Sequence, residues 1–264
     1  MKSYRNLFPF RIGTTSFILP VKEENLLSNA GFLRDIFDMV QLLFFGREYL
    51  GEILTPGIMK GLRNIRDESG LSYTVHLPSD LELLDPSPGS LDASIDVIKR
   101  IMEETTGLGV EAYVLHVDRL HHGSPRVTCD RETIELFHGA MDAIGERLGP
   151  RAAGILVENT SYDLTSFASP ILEGPCGICM DLGHLLLHGH DPGRFLDVFG
   201  SRVGEVHLHG VEGGRDHRAL ARLDQATEAL IAGFLHGGEA PVILEVYNLV
   251  DLVKTAACLE AIMG

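Results

Sequence analysis

Eight short apolar runs, each followed by a stretch of helical periodicity, constrain this chain more than any other feature of its sequence. They cover residues 10–18, 40–45, 72–78, 112–118, 154–160, 177–183, 205–211 and 242–248. Nearly continuous Val, Ile, Leu and Phe, rather than alternation with polar residues, is the pattern of parallel strands buried on both faces. The segments between them announce helices. Thr55-Pro56 offers an N-cap with proline at the first helical position, Leu62 and Ile65 share a face, and Gly70 stands past the end. Asp191-Pro192 repeats the device, Ser90 is placed to cap a helix bearing Leu91, Ile95, Ile98 and Ile101, and Asp130 one bearing Ile134, Phe137, Met141, Ile144 and Leu148.

Eight strand–helix units at about 33 residues each match a closed (β/α)₈ barrel. The rival, an open doubly wound sheet, normally carries a glycine-rich phosphate loop after its first strand. Here the first run continues into Leu19-Pro20-Val21-Lys22-Glu23, so the barrel is the expectation. No low-complexity linker or shift in composition divides residues 1–264, and a single domain is expected.

The strand ends carry the chemistry. Run three holds His76 near its end and run four His116, and run five holds Glu158; run six holds Asp181 with His184 just beyond, and runs seven and eight hold His207 and Glu245. In a parallel barrel these C-terminal ends meet on one face, where barrel enzymes work. One histidine after an apolar strand is ordinarily just hydrogen-bonded, but six consecutive strands each delivering a ligand-type residue are not explained that way. Buried carboxylates need a cation, and Lys and Arg are almost absent from these strand ends. A divalent metal fits, and Zn²⁺, Mn²⁺ and Fe²⁺ all accept such a donor set. The twelve histidines crowd into 116–122, 184–190 and 207–217, which agrees.

Other motifs weigh less. Cys176-Gly-Ile-Cys179 is one pair without a second and lies on a buried strand, so structural cysteines are the reading. Asn159-Thr-Ser matches a glycosylation sequon, idle in a chain without a leader. The Gly213–His217 stretch with Arg218 is either an ordinary solvated loop or a flexible loop whose Asp-His pair and two arginines suit a phosphate. A formal charge of −15 and a pI near 5.2 provide no field for duplex nucleic acid or an anionic membrane. Four scattered cysteines, no leader and no long apolar stretch point to a reduced cytoplasmic setting.

On these residues the chain resembles the superfamily that contains endonuclease IV and the xylose-isomerase-like sugar isomerases and epimerases. That resemblance implies one metal on His76, His116 and Glu158, with Glu158 bridging to a second on Asp181, His207 and Glu245. It implies a third on His184 with Asp216 and His217, although this chain has adjacent Asp216-His217 where the endonuclease pattern has Asp-x-His. Two or three ions are therefore implied.

The run from Phe10 to Ser16, the run from Ser72 to Pro78, Asp181-Leu-Gly-His184 continuing to Asp191, and His207-Leu-His209-Gly210-Val211 followed by Gly214-Arg-Asp-His217 are similar to the cobamide-remodelling phosphodiesterases of that superfamily. This implies hydrolysis of the nucleotide-loop phosphodiester of a corrinoid, releasing an α-riboside and a corrinoid phosphate, with no nucleic acid or membrane as partner. Glu158, Asp181 and Glu245 are the expected catalytic carboxylates, Asp181 or Glu245 orienting the attacking water. Arg215 and Arg218 are expected to clamp the phosphate, Asn159 and His209 to contact substrate, and the loops at 19–27 and 121–127 to select the lower ligand. A sugar isomerase or epimerase is the alternative, using one metal on Glu158, Asp181, His207 and Glu245; His76 and His116 separate the two readings. A non-catalytic corrinoid or metal carrier is a third; Glu158→Gln is expected to abolish turnover with the fold intact, and a fully active Glu158→Gln protein would exclude the bridging role of Glu158.

Overall fold

The structure is a computed structural model that describes residues 1–19, 26–118 and 127–264. Eight strands close into a parallel barrel: β1 (Ile12–Thr15), β2 (Met39–Leu43), β3 (Ser72–His76), β4 (Tyr113–His116), β5 (Ile155–Glu158), β6 (Gly177–Asp181), β7 (Val203–Leu208) and β10 (Val242–Leu244). They pair in the order β1-β10-β7-β6-β5-β4-β3-β2, β1 closing on β2. Each expected run contains a barrel strand or, for the second and seventh, most of one. That seventh run divides: β7 stops at Leu208, and the chain turns out of the barrel as an antiparallel hairpin, β8 (Gly210–Glu212) and β9 (Arg215–Arg218). Gly213 and Gly214 form its two-residue turn, at φ 60 and 74, backbone that side chains with a Cβ rarely adopt.

Two apolar clusters reveal how each strand divides its side chains. The larger, including Val40, Val75, Leu115, Val157, Met180 and Leu244, lies among the residues packed between barrel and helices. The smaller, Val114, Leu156 and Cys179, is separate from it and lies inside the barrel. Residues two positions further along these same strands, His116, Glu158 and Asp181, therefore also point inward, above that apolar floor.

The helix signals in the sequence hold where the cap chemistry was explicit. Thr55 accepts from Ile58 N ahead of Pro56–Ser69, which ends at Gly70 with φ 71; Asp130 accepts from Thr133 N ahead of Arg131–Leu148; Asp191 accepts from Gly193 N and Arg194 N ahead of Pro192–Phe199. Ser90 is a correction. It is the first residue of Ser90–Thr105, not its cap; the cap position belongs to Gly89, whose φ of 87 excludes the extended backbone from which a serine would cap. Cys176 and Cys179 are buried, and burial lifts the Cys176 thiol to about 11 and that of Cys179 well above the ordinary range, as structural cysteines require. Among the described residues no helix is long and apolar enough to cross a membrane.

Candidate metal centre

Strands β3 to β7 and the turn after β10 bring the expected residues to one rim. Glu158 lies at the middle of it, fully buried. Its Oε2 faces His116 Nε2 at 3.1 Å and His76 Nε2 at 3.3 Å. Its Oε1 faces the other way, toward His184 Nδ1 at 3.3 Å and His207 Nδ1 at 3.6 Å. His207 Nδ1 is also 3.0 Å from Glu245 Oε2 and 3.8 Å from Asp181 Oδ2. Three groups with donor atoms mutually within 4.8 Å thus share Glu158: His76 with His116, Asp181 with His207 and Glu245, and Cys179 with His207, the last carrying a thiol that burial holds protonated.

Three observations fit these groups to a cation. First, Glu158 Oε1, His207 Nδ1 and Glu245 Oε2 are buried, converge on the same space and have no hydrogen-bond partner; such orphaned atoms cost free energy unless something fills the gap. Second, several histidines have one ring nitrogen already committed. His76 Nδ1 donates to Leu77 O at 2.9 Å, His184 Nδ1 to Asn159 O at 3.1 Å and His217 Nδ1 to Glu245 O at 3.2 Å, which leaves each Nε2 with a free lone pair. Ligating histidines are fixed in this way. Third, the cavity above is walled by Leu43, Phe44, Phe45, Ser79, Asp216 and Tyr247 together with the site residues His76, His116, His184, His217 and Glu245, with no Lys or Arg among them.

Asp181 is held by a local device. Its Oδ1 accepts from His184 N at 2.6 Å and so caps the helix Leu182–His188, which leaves Oδ2 to turn toward the site. His209, expected to contact substrate, is fully buried and has another role. Its Nδ1 accepts the His217 backbone N–H at 3.0 Å, so Nε2 carries the hydrogen and donates to Asp181 Oδ2 at 3.1 Å. The ring ties the β8–β9 hairpin to Asp181. It fits only because residue 183 is glycine, where a Cβ would lie 2.1 Å from His209 Cε1.

Asn159 is a second correction: it is fully buried, and its amide donates to Asp181 O and accepts from Asp181 N, both at 2.8 Å, so neither substrate nor a glycan reaches it. Arg215 is exposed and Arg218 half-buried on the hairpin, and neither is part of the cavity wall, so the structure does not place a phosphate clamp there. Asp216 and His217 do reach the wall; Asp216 Oδ2 lies 3.7 Å from His184 Nε2 and 3.9 Å from His217 Nε2. His184, His209 and His217 also form a close group, but the hydrogen on His209 Nε2 leaves Asp216 as the more available donor beside His184 and His217. Of the loops at 19–27 and 121–127, residues 20–25 and 121–126 lie outside the described residues.

Protonation follows from the same geometry. Burial would raise Glu158, but His116 and His207 outweigh it and hold the carboxyl well below the usual range; Glu245 is held down likewise by His207 and His217. Burial opposes the imidazolium of His184, yet Asp181, Asp216 and Glu158 push it up to about 12, and Glu245 and Glu158 help push His207 well above its ordinary value. His184, 3.7 Å away, in turn brings Asp216 down to about 2. Groups with lowered pKa add stability above the unfolded carboxylate value of ~4.3 and lose it as pH falls through their folded values; the raised histidines add it below ~6.5 and lose it as pH rises. The metal-free chain is therefore expected to melt highest between about pH 4.5 and 6.5. A chelator-containing pH series of thermal melts checks this, and a flat profile from there into alkaline pH would contradict it.

Comparisons with known proteins agree with the barrel. No curated protein matches the chain. Among solved structures it is similar to a D-tagatose 3-epimerase-like protein (TM-score 0.77, 19% identity, 96% of this chain and 97% of that one). It is also similar to 3-keto-D-glucoside 4-epimerase from E. coli (0.69, 16%, 96% and 98%) and to endonuclease IV from Thermus thermophilus (0.63, 21%, 95% and 99%). Identities this low carry the fold alone. A family model spans residues 31–248, which include every strand of the barrel except β1 and every residue of the metal centre, and by that match the chain belongs to the xylose isomerase-like TIM barrel family.

Proposed function

We propose that the chain is a metal-dependent phosphodiester hydrolase whose substrate is the nucleotide-loop phosphodiester of a cobamide. The observation that carries the reaction class is the orientation of Glu158, one oxygen between His76 and His116 and the other toward His184 and His207. A one-metal isomerase has no need of the first pair, whereas phosphodiester cleavage uses paired cations. His76, His116 and Glu158 would hold one ion and Glu158, Asp181, His207 and Glu245 another, with His184, Asp216 and His217 able to hold a third. Bound there, such ions supply Lewis-acid neutralisation of phosphoryl oxygens and lower the pKa of water toward neutrality.

The chain's own residues do the rest. An anionic phosphodiester entering a wall that, among the described residues, holds Asp216 and Glu245 and no Lys or Arg is repelled unless cations offset that charge. Asp181, with Oδ2 fixed by His209, and Glu245, whose Oε1 accepts from Tyr247 Oη at 3.4 Å, are placed to orient the attacking water and hold its proton. Phe17, Phe45 and Tyr247 meet edge to face, with centroids 4.9 to 6.1 Å apart, and Phe45 and Tyr247 form an apolar side of the cavity. The substrate identity rests on the motifs at 10–16, 72–78, 181–191 and 207–217, and the net charge of −15 speaks against duplex DNA as substrate.

The compact group of Glu158, Asp181, His207 and Glu245 also supports a second reading, a one-metal sugar epimerase or isomerase. Incubating the metal-loaded protein with a coenzyme-form cobamide and identifying products by mass spectrometry decides between them. The expected products are an α-riboside and a phosphorylated corrinoid. No release with Zn²⁺, Mn²⁺ or Fe²⁺, together with isomerisation of a sugar, would replace the hydrolase by the epimerase.

A further inference from the structure

Beneath the rim, inside the barrel, lies a carboxylate that belongs to none of the candidate ligand groups. Glu205 stands two residues before His207 on β7, so both point inward, and it is fully buried. Its Oε1 lies 2.9 Å from His207 Nε2 and accepts from Gln41 Nε2 at 2.6 Å, the amide reaching across the barrel from β2 to within 2.9 Å of His207 Nε2 as well; an ionised carboxylate can only accept, so beside Glu205 the ring nitrogen is the donor. Its Oε2 has no hydrogen-bond partner. A carboxylate without a salt-bridging Lys or Arg is expensive to bury. Its position makes sense if the charge is used through the imidazole it holds.

The contrast with the neighbouring histidines is informative. His76, His184 and His217 each commit a ring nitrogen to a backbone carbonyl, whereas His207 commits its Nε2 to an anion. Donation from Nε2 fixes the tautomer with the lone pair on Nδ1, the atom facing Glu158, Asp181 and Glu245. An anionic acceptor also makes that lone pair more basic than a carbonyl does. We propose that Glu205, held by Gln41, is a positioning residue that turns His207 into the strongest neutral donor of the centre and so sets the affinity of the Asp181–His207–Glu245 ion selectively. The proposal rests on the metal reading above but not on the identity of the substrate.

The test is Zn²⁺ titration against a chromophoric chelator, with ions per chain counted by elemental analysis and folding followed by circular dichroism and thermal melts. In Glu205→Leu, one of the wild-type Zn²⁺ ions is expected to bind about 10–100-fold more weakly while the His76–His116–Glu158 ion stays within about threefold. Glu205→Gln retains an oxygen acceptor at the same place and is expected to recover the tautomer and part of the loss, the remainder being the contribution of the charge. With Co²⁺ in place of Zn²⁺, the visible absorption of the weakened site should change in Glu205→Leu and return in Glu205→Gln. Wild-type affinity for every ion in Glu205→Leu, or an equal loss at both sites, would overturn the proposal. Should Glu205→Leu fail to fold, Gln41→Leu decides: a loss confined to the same ion supports the role, and unchanged affinities refute it. A wild-type chain that binds no Zn²⁺ overturns the metal reading and this inference together, whereas an unaltered Glu205→Leu overturns this inference alone.

Discussion

Glu158→Gln is expected to reduce turnover by about a thousandfold or more, a loss of ~4 kcal/mol of transition-state stabilisation, while leaving a folded barrel. The side chain keeps its shape but loses its charge, and one of its two positions becomes an N–H₂ that cannot ligate. Because Oε1 and Oε2 face different histidine pairs, both ions should weaken together, unlike the single-ion loss expected at Glu205. Steady-state kinetics with the cleavable substrate, paired with elemental analysis, checks this. A fully active Glu158→Gln protein with unchanged metal content would remove Glu158 from the centre.

Stripping the metals is expected to lower the melting temperature by on the order of 10 °C at neutral pH. A ligand at a thousand times its dissociation constant stabilises the folded state by ~4 kcal/mol, and a domain near this size shifts by roughly 2–4 °C per kcal/mol. The physical source is the set of orphaned buried atoms at Glu158, His207 and Glu245, which a cation satisfies and water does not reach. Scanning calorimetry with and without a chelator at pH 7.5 gives the difference. Adding back Zn²⁺ should restore both the melt and the activity, and a melt indifferent to the chelator would argue that the cluster is held by hydrogen bonds among its own groups.

The barrel was legible because parallel strands buried on both faces leave unbroken apolar runs, and because those runs carry His76, His116, Glu158, Asp181, His207 and Glu245. The same property hid other residues. A run read as uniformly buried conceals which of its side chains face the barrel interior, so Gln41 and Glu205 drew no attention although both lie directly beneath the rim. The signal was present: Glu205 is a carboxylate inside a run, two residues from a ligand-type histidine, and a period of two places them on one face. Asn159 and His209 were legible as polar residues at strand ends but not as structural ones. Their roles depend on Asp181 backbone and carboxylate atoms more than twenty residues away in sequence. Gly213-Gly214 read as a loop, although paired glycines between short polar segments are also a hairpin signal, and the hairpin is what places Asp216 and His217 against the cavity while leaving Arg215 outside it.

In the proposed centre Glu158 lies between two cation sites, not at the edge of one. Counting ions per chain in the Zn²⁺-reconstituted wild type, beside a His76→Ala/His116→Ala double variant, tests it most directly. At least two ions are expected in the wild type and one fewer in the double variant, the Asp181–His207–Glu245 ion being retained. A single ion in both proteins would contradict it and leave the chain with the one-metal centre of an epimerase.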